Sequence, residues 1–420
     1  MFISSDPEQN RRQRRAADVA RVRAHNASLL LNLVWEADGV SRADLARRSG
    51  LSRSTVSDII SELIERRLIN ESHTAPSTGG RPPIVLRFAD ERFSIIGVEM
   101  GSSHVTVALM NLRGKPRVVF HRDHDIQNDP FGAVRLIESF IERCLDSTDA
   151  DPNAIIGVGV AVPCPIDPRF PDRLSPRILP RWEGIRLTKR LSENLSLPVF
   201  IDNDANLGAL AERWWGAGQD VRNFAYIKVA TGVGSGLIID GEIFRGAAGI
   251  AGEIGHTAMV KDGPKCRCGL SGCLESLIGT EALLKQLKDR LRGRSDSPLE
   301  AFVEPRLGDL VEAARTGDPI ARQIIGNAGR QLGIAIANLL NIFNPARVIL
   351  GGSLTRAGDI LCEPLVRAVQ SRAMWDAITD TEIRITGLGE EAIAVGAATQ
   401  VLAAALQDPA LFPGARARSA

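Results

Sequence analysis

Nowhere in the 420 residues does an uninterrupted apolar run reach the length needed to cross a bilayer, which argues against a transmembrane helix. The opening stretch, MFISSDPEQNRRQRR, has no apolar core of the kind a secretory signal carries. Neither sign of charge is in excess: 51 Lys and Arg stand against 50 Asp and Glu, for a net charge of +1. No global field therefore attracts nucleic acid, and any such site must be a local patch. Cysteine is scarce at six residues, and Cys144, Cys164 and Cys362 are scattered through apolar surroundings as small hydrophobes. These absences describe a reduced, cytoplasmic chain without membrane contact, in which a cysteine cluster reads as a metal site before a disulfide framework. The length exceeds what one ordinary core holds, so two or three domains are expected.

What is present is local. RRQRRAADVARVR, Arg11 to Arg23, carries six arginines against one acid, Asp18. It reads either as a solvated tail or as an electrostatic arm on phosphates, and residues 1–24 are expected to form a flexible basic arm. A helix follows with Asn26 as its cap, Leu29, Leu30, Leu33 and Val34 at helical spacing, and Gly39 as its stop. In SRADLARRSGLSRSTVSDIISELIERRLI, Ser41 caps one short helix, Gly50 breaks it, and Ser52 caps a second. Val56, Ile59, Ile60, Leu63 and Ile64 line one stripe of that second helix, which completes a helix-turn-helix unit. Its exposed start, Ser52, Arg53, Ser54, Thr55 and Ser57, offers a guanidinium and hydroxyls to a major groove. Two extended runs around Gly79-Gly80-Arg81-Pro82 then form a β-hairpin wing, with Gly80 and Arg81 at a tip that can meet phosphates or the minor groove. The winged helix-turn-helix is expected over residues 25–90.

From Phe93 onward strands alternate with helices, which argues for an α/β fold with helices on the sheet faces. FSIIGVEMG and HVTVALMNLRGK read as a strand, a Gly turn and a second strand; DPFGAVRLIESFIERCL is an amphipathic helix and AIIGVGVAVP a buried strand. PVFIDNDANLGALAERWWG runs from a strand into a helix capped near Asp204. Two glycine loops, 99–103 and 231–236, fall in different halves and join Gly351-Gly352-Ser353 to suggest a nucleotide-sized cleft between two lobes. Cys266, Cys268 and Cys273 crowd into eight positions ten residues after His256, with Gly-Leu-Ser-Gly between the last two thiols.

On these motifs the chain resembles the ROK family (repressors, open reading frames, kinases), and more closely its transcriptional repressors with an N-terminal winged helix. The likeness runs from about Asn26 to Leu406. It implies an actin-like ATPase (ribonuclease H-like) fold for a two-lobed ROK domain over residues 92–406. Lobes of about 92–203, with the C-terminal helix, and about 204–390 are expected, and residues 407–420 read as a disordered tail. In IDNDAN the resemblance implies a sugar-binding Asn203 and a catalytic Asp204, since a sugar hydroxyl attacking a phosphoryl group needs a carboxylate to take its proton. GEIGH brings Glu253 and His256 to the sugar, and CLES brings Glu275; amide and carboxylates suit the paired donors and acceptors of vicinal hydroxyls. AVPCPIDP, Ala161 to Pro168, is expected in the pocket wall. In relatives CxCGxxGC and the histidine of GEIGH bind a structural zinc, here His256, Cys266, Cys268 and Cys273, a Cys₃His set that leaves no position open for water.

The phosphate loops are expected to be Glu99, Gly101 and Ser103, then Thr231, Gly232 and Gly234, then Gly351 and Gly352. Here the chain departs from its enzymatic relatives, whose first motif is Asp-x-Gly-x-Thr against EMGSS. Glu99 pushes its carboxylate out by about 1.5 Å, and misplacements of about 1 Å at a reacting centre cost ~100-fold in rate. The expected function is a sugar-responsive, DNA-binding regulator of carbohydrate metabolism genes, a repressor by analogy with relatives. The alternative is an ATP- and Mg²⁺-dependent sugar kinase with a DNA-binding head and Asp204 as general base. Expected partners are a double-stranded operator with an inverted repeat, a sugar or sugar phosphate, and a second copy of the chain in a homodimer or homotetramer.

Overall fold

The computed structural model describes residues 7–37, 39–72, 84–148, 150–292, 304–374 and 381–414, with side chains from residue 19 onward. A head of three helices opens the chain: α1 (Pro7–Glu36), α2 (Arg42–Ser49) and α3 (Arg53–Glu65), followed by β1 (Ile69–Ser72) and β2 (Val85–Phe88). Ser41 and Asp44 form a capping box at the start of α2, and Gly50 ends that helix at φ 70°, a left-handed conformation glycine adopts without cost. The Ser52 hydroxyl accepts from the Thr55 N–H to start α3, whose Val56, Ile59, Ile60 and Leu63 are buried. The two strands pair antiparallel with Ile69 opposite Phe88, as a wing requires. The expected wing tip, Gly80 and Arg81, lies outside the described residues.

Two boundaries differ from expectation. The first helix begins at Pro7 rather than Asn26, so the arginine-rich segment is not an arm apart from it. Proline suits a first helical position, and arginine is a good helix former even where no apolar stripe announces a helix. At the other end the chain stays ordered beyond 407: Phe412 is fully buried, with Phe93 and Phe88 edge-on at 5.3 and 6.3 Å between ring centroids. Residues 415–420 lie outside the described residues.

The body consists of two lobes. The first contains β3 (Ser94–Gly101), β4 (His104–Met110), β5 (Pro116–Asp123), α4 (Pro130–Asp146), β6 (Ile155–Val162), α5 (Leu187–Leu195) and β7 (Val199–Asn203). From it α6 (Asp204–Trp215) leads to β8 (Phe224–Val229), β9 (Val233–Ile239) and β10 (Glu242–Ile243). Then come α7 (Glu275–Ile278), α8 (Thr280–Leu291), α9 (Leu307–Arg315), α10 (Pro319–Phe343), β11 (Arg347–Gly351), α11 (Asp359–Gln370), β12 (Glu382–Ile385) and α12 (Ala392–Gln407). The sheets run β5-β4-β3-β6-β7 and β10-β9-β8-β11-β12. Each is an antiparallel meander of three strands extended by two parallel strands, so one topology occurs twice. This duplicated five-strand order is the actin-like, ribonuclease H-like architecture.

The last helix, α12, returns to the first lobe. Its backbone lies so close to β6 that a Cβ on Gly159 would stand 1.8 Å from the Ala397 carbonyl. Gly396 likewise lets α12 approach α6, where a Cβ would stand 1.8 Å from the Leu207 carbonyl. Head and body share one continuous core: Leu30, Leu31, Val34 and Ile59 of the head cluster with Phe93, Ile95, Ala394, Leu402 and Phe412. Ser28 Oγ and Asn32 Nδ2 donate to the Leu406 carbonyl at 2.8 and 3.1 Å, which ties α1 to the end of α12. Trp35 at the end of α1 packs on Trp214 and Trp215 at the end of α6, at 5.0 and 6.2 Å between centroids. Among the described residues no helix is long and apolar enough to cross a membrane.

Candidate ligand cleft and DNA-reading helix

Asn203, Asp204, Glu253, His256 and Glu275, drawn from three separated segments, line one cavity between the lobes. Pro163, Cys164 and Pro165 supply part of its wall, where AVPCPIDP was expected. The junction of β7 and α6 places the first two residues. Asn203 caps α6, its Oδ1 accepting from the N–H groups of Ala205 and Asn206 at 2.9 and 3.2 Å. The preceding Asp202 is held by Arg245, whose Nη2 donates at 2.6 Å, and by Asn206 at 3.1 Å, so the turn is braced from both sides.

Glu275 opens α7 and is fixed by Arg267 through two donors at 2.7 and 3.1 Å, and by the Val233 N–H at 3.0 Å. At Gly232 a Cβ would lie 2.6 Å from both Arg267 Nη2 and Glu275 Oε2, so any side chain there would push this ion pair aside. Glu253 has no such guanidinium or backbone donor among the described residues; its only ion-pair neighbour there is His256, with Nε2 at 3.7 Å. Burial, with the Asp204 and Glu275 charges nearby, pushes it up to about 7, above the effect of Arg267.

His256 faces two ways. Its Nδ1 lies 3.5 Å from Cys266 Sγ, while Nε2 lies 3.7 Å from Glu253. Cys268 and Cys273 sulfurs are 3.7 Å apart, and the four donor atoms lie within 4.8 Å of one another. A tetrahedral ion with metal–sulfur bonds of about 2.3 Å requires sulfur–sulfur edges of about 3.8 Å, so the set fits such an ion. Short backbone hydrogen bonds shape the loop: Cys266 N–H to the Leu270 carbonyl at 2.8 Å, and Gly269 N–H to the Cys266 carbonyl at 2.9 Å.

A second cavity of about 480 Å³ adjoins the first, and His104, Lys228, Ala230 and Thr231 line both. Of the expected phosphate-loop residues, Glu99, Ser103, Thr231 and Gly352 line this second space, whereas Gly232 and Gly234 face the first. Gly101 and Gly351 line neither; a Cβ on them would strike His104 and the Tyr226 ring.

The residue that sequence reasoning missed is Lys228, next to last in β8. Its Nζ lies 2.8 Å from Asp204 Oδ2 and 3.3 Å from Glu99 Oε1, and all three side chains are at most 12% exposed. His104 Nε2 approaches the same Glu99 oxygen at 3.4 Å. Burial alone would raise Glu99; Lys228 and His104 outweigh it and hold the carboxyl down at about 2. Burial alone would lower Lys228; Asp204 and Glu99 outweigh it and raise the ammonium above its ordinary value. The expectation that Glu99 matters through its length is thus joined by a plainer fact: Glu99 and Asp204 already share one internal cation.

On the head, Ser52, Arg53, Ser54 and Ser57 are exposed at the start of α3 and Thr55 is half-buried, while the opposite stripe is buried. Arg53 has no ion-pair partner among the described residues, and the side chain of Ser52 is engaged in capping. Exposed groups at the N-terminal end of a second helix match the way such a helix presents itself to a groove.

Comparison with known proteins agrees with this architecture. The sequence profile of the ROK family matches residues 95–404, and that of a winged helix-turn-helix DNA-binding domain matches residues 26–70. Over 388 residues, 91% of this chain and 97% of the relative, the sequence is 32% identical to the xylose repressor of Caldicellulosiruptor bescii. The fold superposes with a TM-score of 0.77 and 28% identity on a crystal structure of a ROK family transcriptional regulator, a homologue of the E. coli MLC protein; 93% of this chain and 98% of that chain are covered. A ROK family glucokinase from Streptomyces griseus, solved with glucose and AMPPNP, matches at a TM-score of 0.65 and 26% identity, over 73% of this chain and 98% of that chain.

Proposed function

The chain belongs to the ROK family, and on that footing we propose that it is a transcriptional regulator whose winged head binds operator DNA and whose interlobe cleft binds a sugar. The observation that carries the reading is the union of the two ends. An exposed Arg53 face and a cavity lined by Asn203, Asp204, Glu253, His256 and Glu275 belong to one chain whose head and body share a single core. Vicinal hydroxyls present alternating donors and acceptors, which the Asn203 amide, the carboxylates and the His256 ring can meet.

His256, Cys266, Cys268 and Cys273 hold a structural zinc in this reading. Three thiolates and an imidazole suit that ion, and four protein ligands leave no open position for catalysis. The metal pins the loop that carries His256 and ends at Cys273, two residues before Glu275, so its loss reaches the cleft. One winged helix reads one half-site, so the chain acts as a homodimer, or a dimer of dimers, on an inverted repeat. Sugar in the cleft favours one arrangement of the lobes, and operator affinity changes by the differential affinity of the sugar for the two arrangements.

The test is a mobility-shift titration of an operator, recovered by selection from random duplexes, against a panel of free sugars and sugar phosphates. A change in operator affinity with one of them supports the regulator; no change with any at millimolar concentration overturns it. A kinase with a DNA-binding head is the second reading, favoured by the retained Asp204 and the adjoining 480 Å³ cavity. Turnover of ordinary enzyme size, about 1–1000 per second, that vanishes in Asp204→Asn would establish it.

A further inference from the structure

The charges of the cleft, taken together, limit what it can hold. Its first cavity is lined by three carboxylates, Asp204, Glu253 and Glu275, and by two permanent cations, Lys228 and Arg267. Neither cation is free. Arg267 is bidentate on Glu275, and Lys228 is shared between Asp204 and Glu99, the latter a fourth carboxylate on the far side of the same wall. Of the two lining histidines, His256 turns Nδ1 to the thiols and His104 turns Nε2 to Glu99.

In the arrangement a phosphoryl transfer needs, the junction between a sugar space and a nucleotide space holds the migrating phosphoryl group and its divalent cation. Lys228 stands at this junction, in the wall common to both cavities. Its ammonium satisfies the two carboxylates that a metal and a proton would otherwise claim, and like charge keeps a divalent ion from Glu99. Asp204 Oδ2, already accepting a charge-assisted hydrogen bond from Lys228 at 2.8 Å, is engaged before any sugar hydroxyl arrives. A phosphate on the ligand would meet a surplus of carboxylates and no unpaired cation.

We propose that Lys228 is a resident cation standing where a metal-bound phosphoryl group would otherwise sit, so that the cleft is a receptor for an uncharged, unphosphorylated monosaccharide and does not transfer phosphate. The ligand class rests on the reading of the cleft as a sugar site; the role of Lys228 as a fixed counter-charge does not.

Two measurements on the full-length protein test it. Calorimetry compares D-xylose, D-glucose and N-acetyl-D-glucosamine each with its phosphate ester. The sugar that binds is expected to bind on the order of tenfold tighter or more than its ester, and an ester that binds as tightly as its parent overturns the proposal. The second measurement needs no sugar. Thermal unfolding of the wild type is expected to be unmoved by millimolar magnesium, whereas Lys228→Gln melts lower and regains part of the loss when magnesium is added. A wild type stabilised by magnesium as much as the variant overturns the proposal, as does wild-type turnover of any panel sugar with Mg-ATP. Should Lys228→Gln not fold, Glu99→Gln/Lys228→Met, which removes one carboxylate with the cation, is expected to fold and to ignore magnesium; a magnesium response in the double variant equally refutes it. If no sugar binds at all, the sugar-site reading falls while the magnesium arm still decides the role of Lys228.

Discussion

Replacing Trp35 by alanine should separate the two halves of the switch without touching either binding surface. Helix α6 has twelve residues and at 1.5 Å per residue is about 18 Å long. Its first turn carries Asp204 in the cleft, and its last carries Trp214 and Trp215 against Trp35 of the head. Any shift of α6 on ligand binding is therefore delivered to α1 through indole contacts. Each aromatic pair contributes about 0.5–1.5 kcal/mol, and Arg113, 4.9 Å above the Trp35 ring, adds about 0.5–1 kcal/mol. Against this, Trp35 Nε1 is buried without a hydrogen-bond partner among the described residues, a cost of about 1–3 kcal/mol. Adding the half-buried surface of the ring, Trp35→Ala loosens the head from α6 by about 2 kcal/mol, less than the roughly 3–5 kcal/mol of a fully buried Trp→Ala change because the ring is only half-buried. Couplings between sites are themselves about 1–3 kcal/mol, or about 5–150-fold in affinity. The contact removed is thus as large as the signal it carries. Operator affinity measured with and without sugar should differ by less than about twofold in the variant, while calorimetric sugar affinity in the absence of DNA stays at the wild-type value. Trp35→Phe, which keeps the ring stack and removes the stranded N–H, should retain the full response. An unchanged sugar effect in Trp35→Ala would refute the α6 route.

Cys273→Ser should leave the protein with less than one bound zinc by elemental analysis and weaken sugar binding by about 10–100-fold, the usual scale for disturbing a metal loop. Arg53→Ala should cost about 1–3 kcal/mol at one base position and relax preference there, seen by repeating the selection from random duplexes with the variant. Acid unfolding should report the Glu99–Lys228 pair. A carboxyl held near 2 instead of its ordinary 4.5 contributes stability that is whole above about 4.5 and is lost as pH falls toward about 2. Glu99→Gln should lower stability at neutral pH, where the contribution of the pair is whole, and flatten the pH dependence between about 4.5 and about 2, as followed by circular dichroism.

Much of this could be read from the sequence because local rules and global fold agree. Caps at Ser41 and Ser52, the Gly50 stop, the Val56–Leu63 stripe and the Cys-x-Cys…Cys spacing are short-range signals, each with one physical meaning. The convergence of Asn203, Glu253 and Glu275 was accessible only through family likeness, since segments some fifty and twenty residues apart carry no mark of shared space. Lys228 was not legible at all. In FAYIKV it reads as one polar residue in a buried strand, and its partners stand 129 and 24 positions away. Burial of a lysine declares a counter-charge but not which one. The early start of α1 was hidden because arginines mask helical periodicity, and the order of the C-terminus because one aromatic, Phe412, anchors a segment otherwise rich in proline, glycine and arginine.

The placement of Lys228 and the course of α6 also bear on each other. A cleft that turns its ligand over converts binding into a product and releases it, so lobe closure lasts no longer than a catalytic cycle. A cleft whose base and metal carboxylates are already engaged by a resident ammonium keeps its ligand unaltered, and closure then persists for as long as the ligand is present. Asp204 is the residue common to both arrangements. It is one end of the ion triad and the first residue of α6, so the position of the triad sets the position of the helix whose far end carries the head contact. A ligand hydroxyl that draws on the Asp204 carboxylate competes with Lys228 for it, and the resulting shift is applied at the helix end farthest from Trp35. Removing the cation should therefore do more than expose a metal site. It should also shift operator affinity in the absence of sugar, and an operator affinity identical in wild type and Lys228→Gln would show that the triad and the head are mechanically independent.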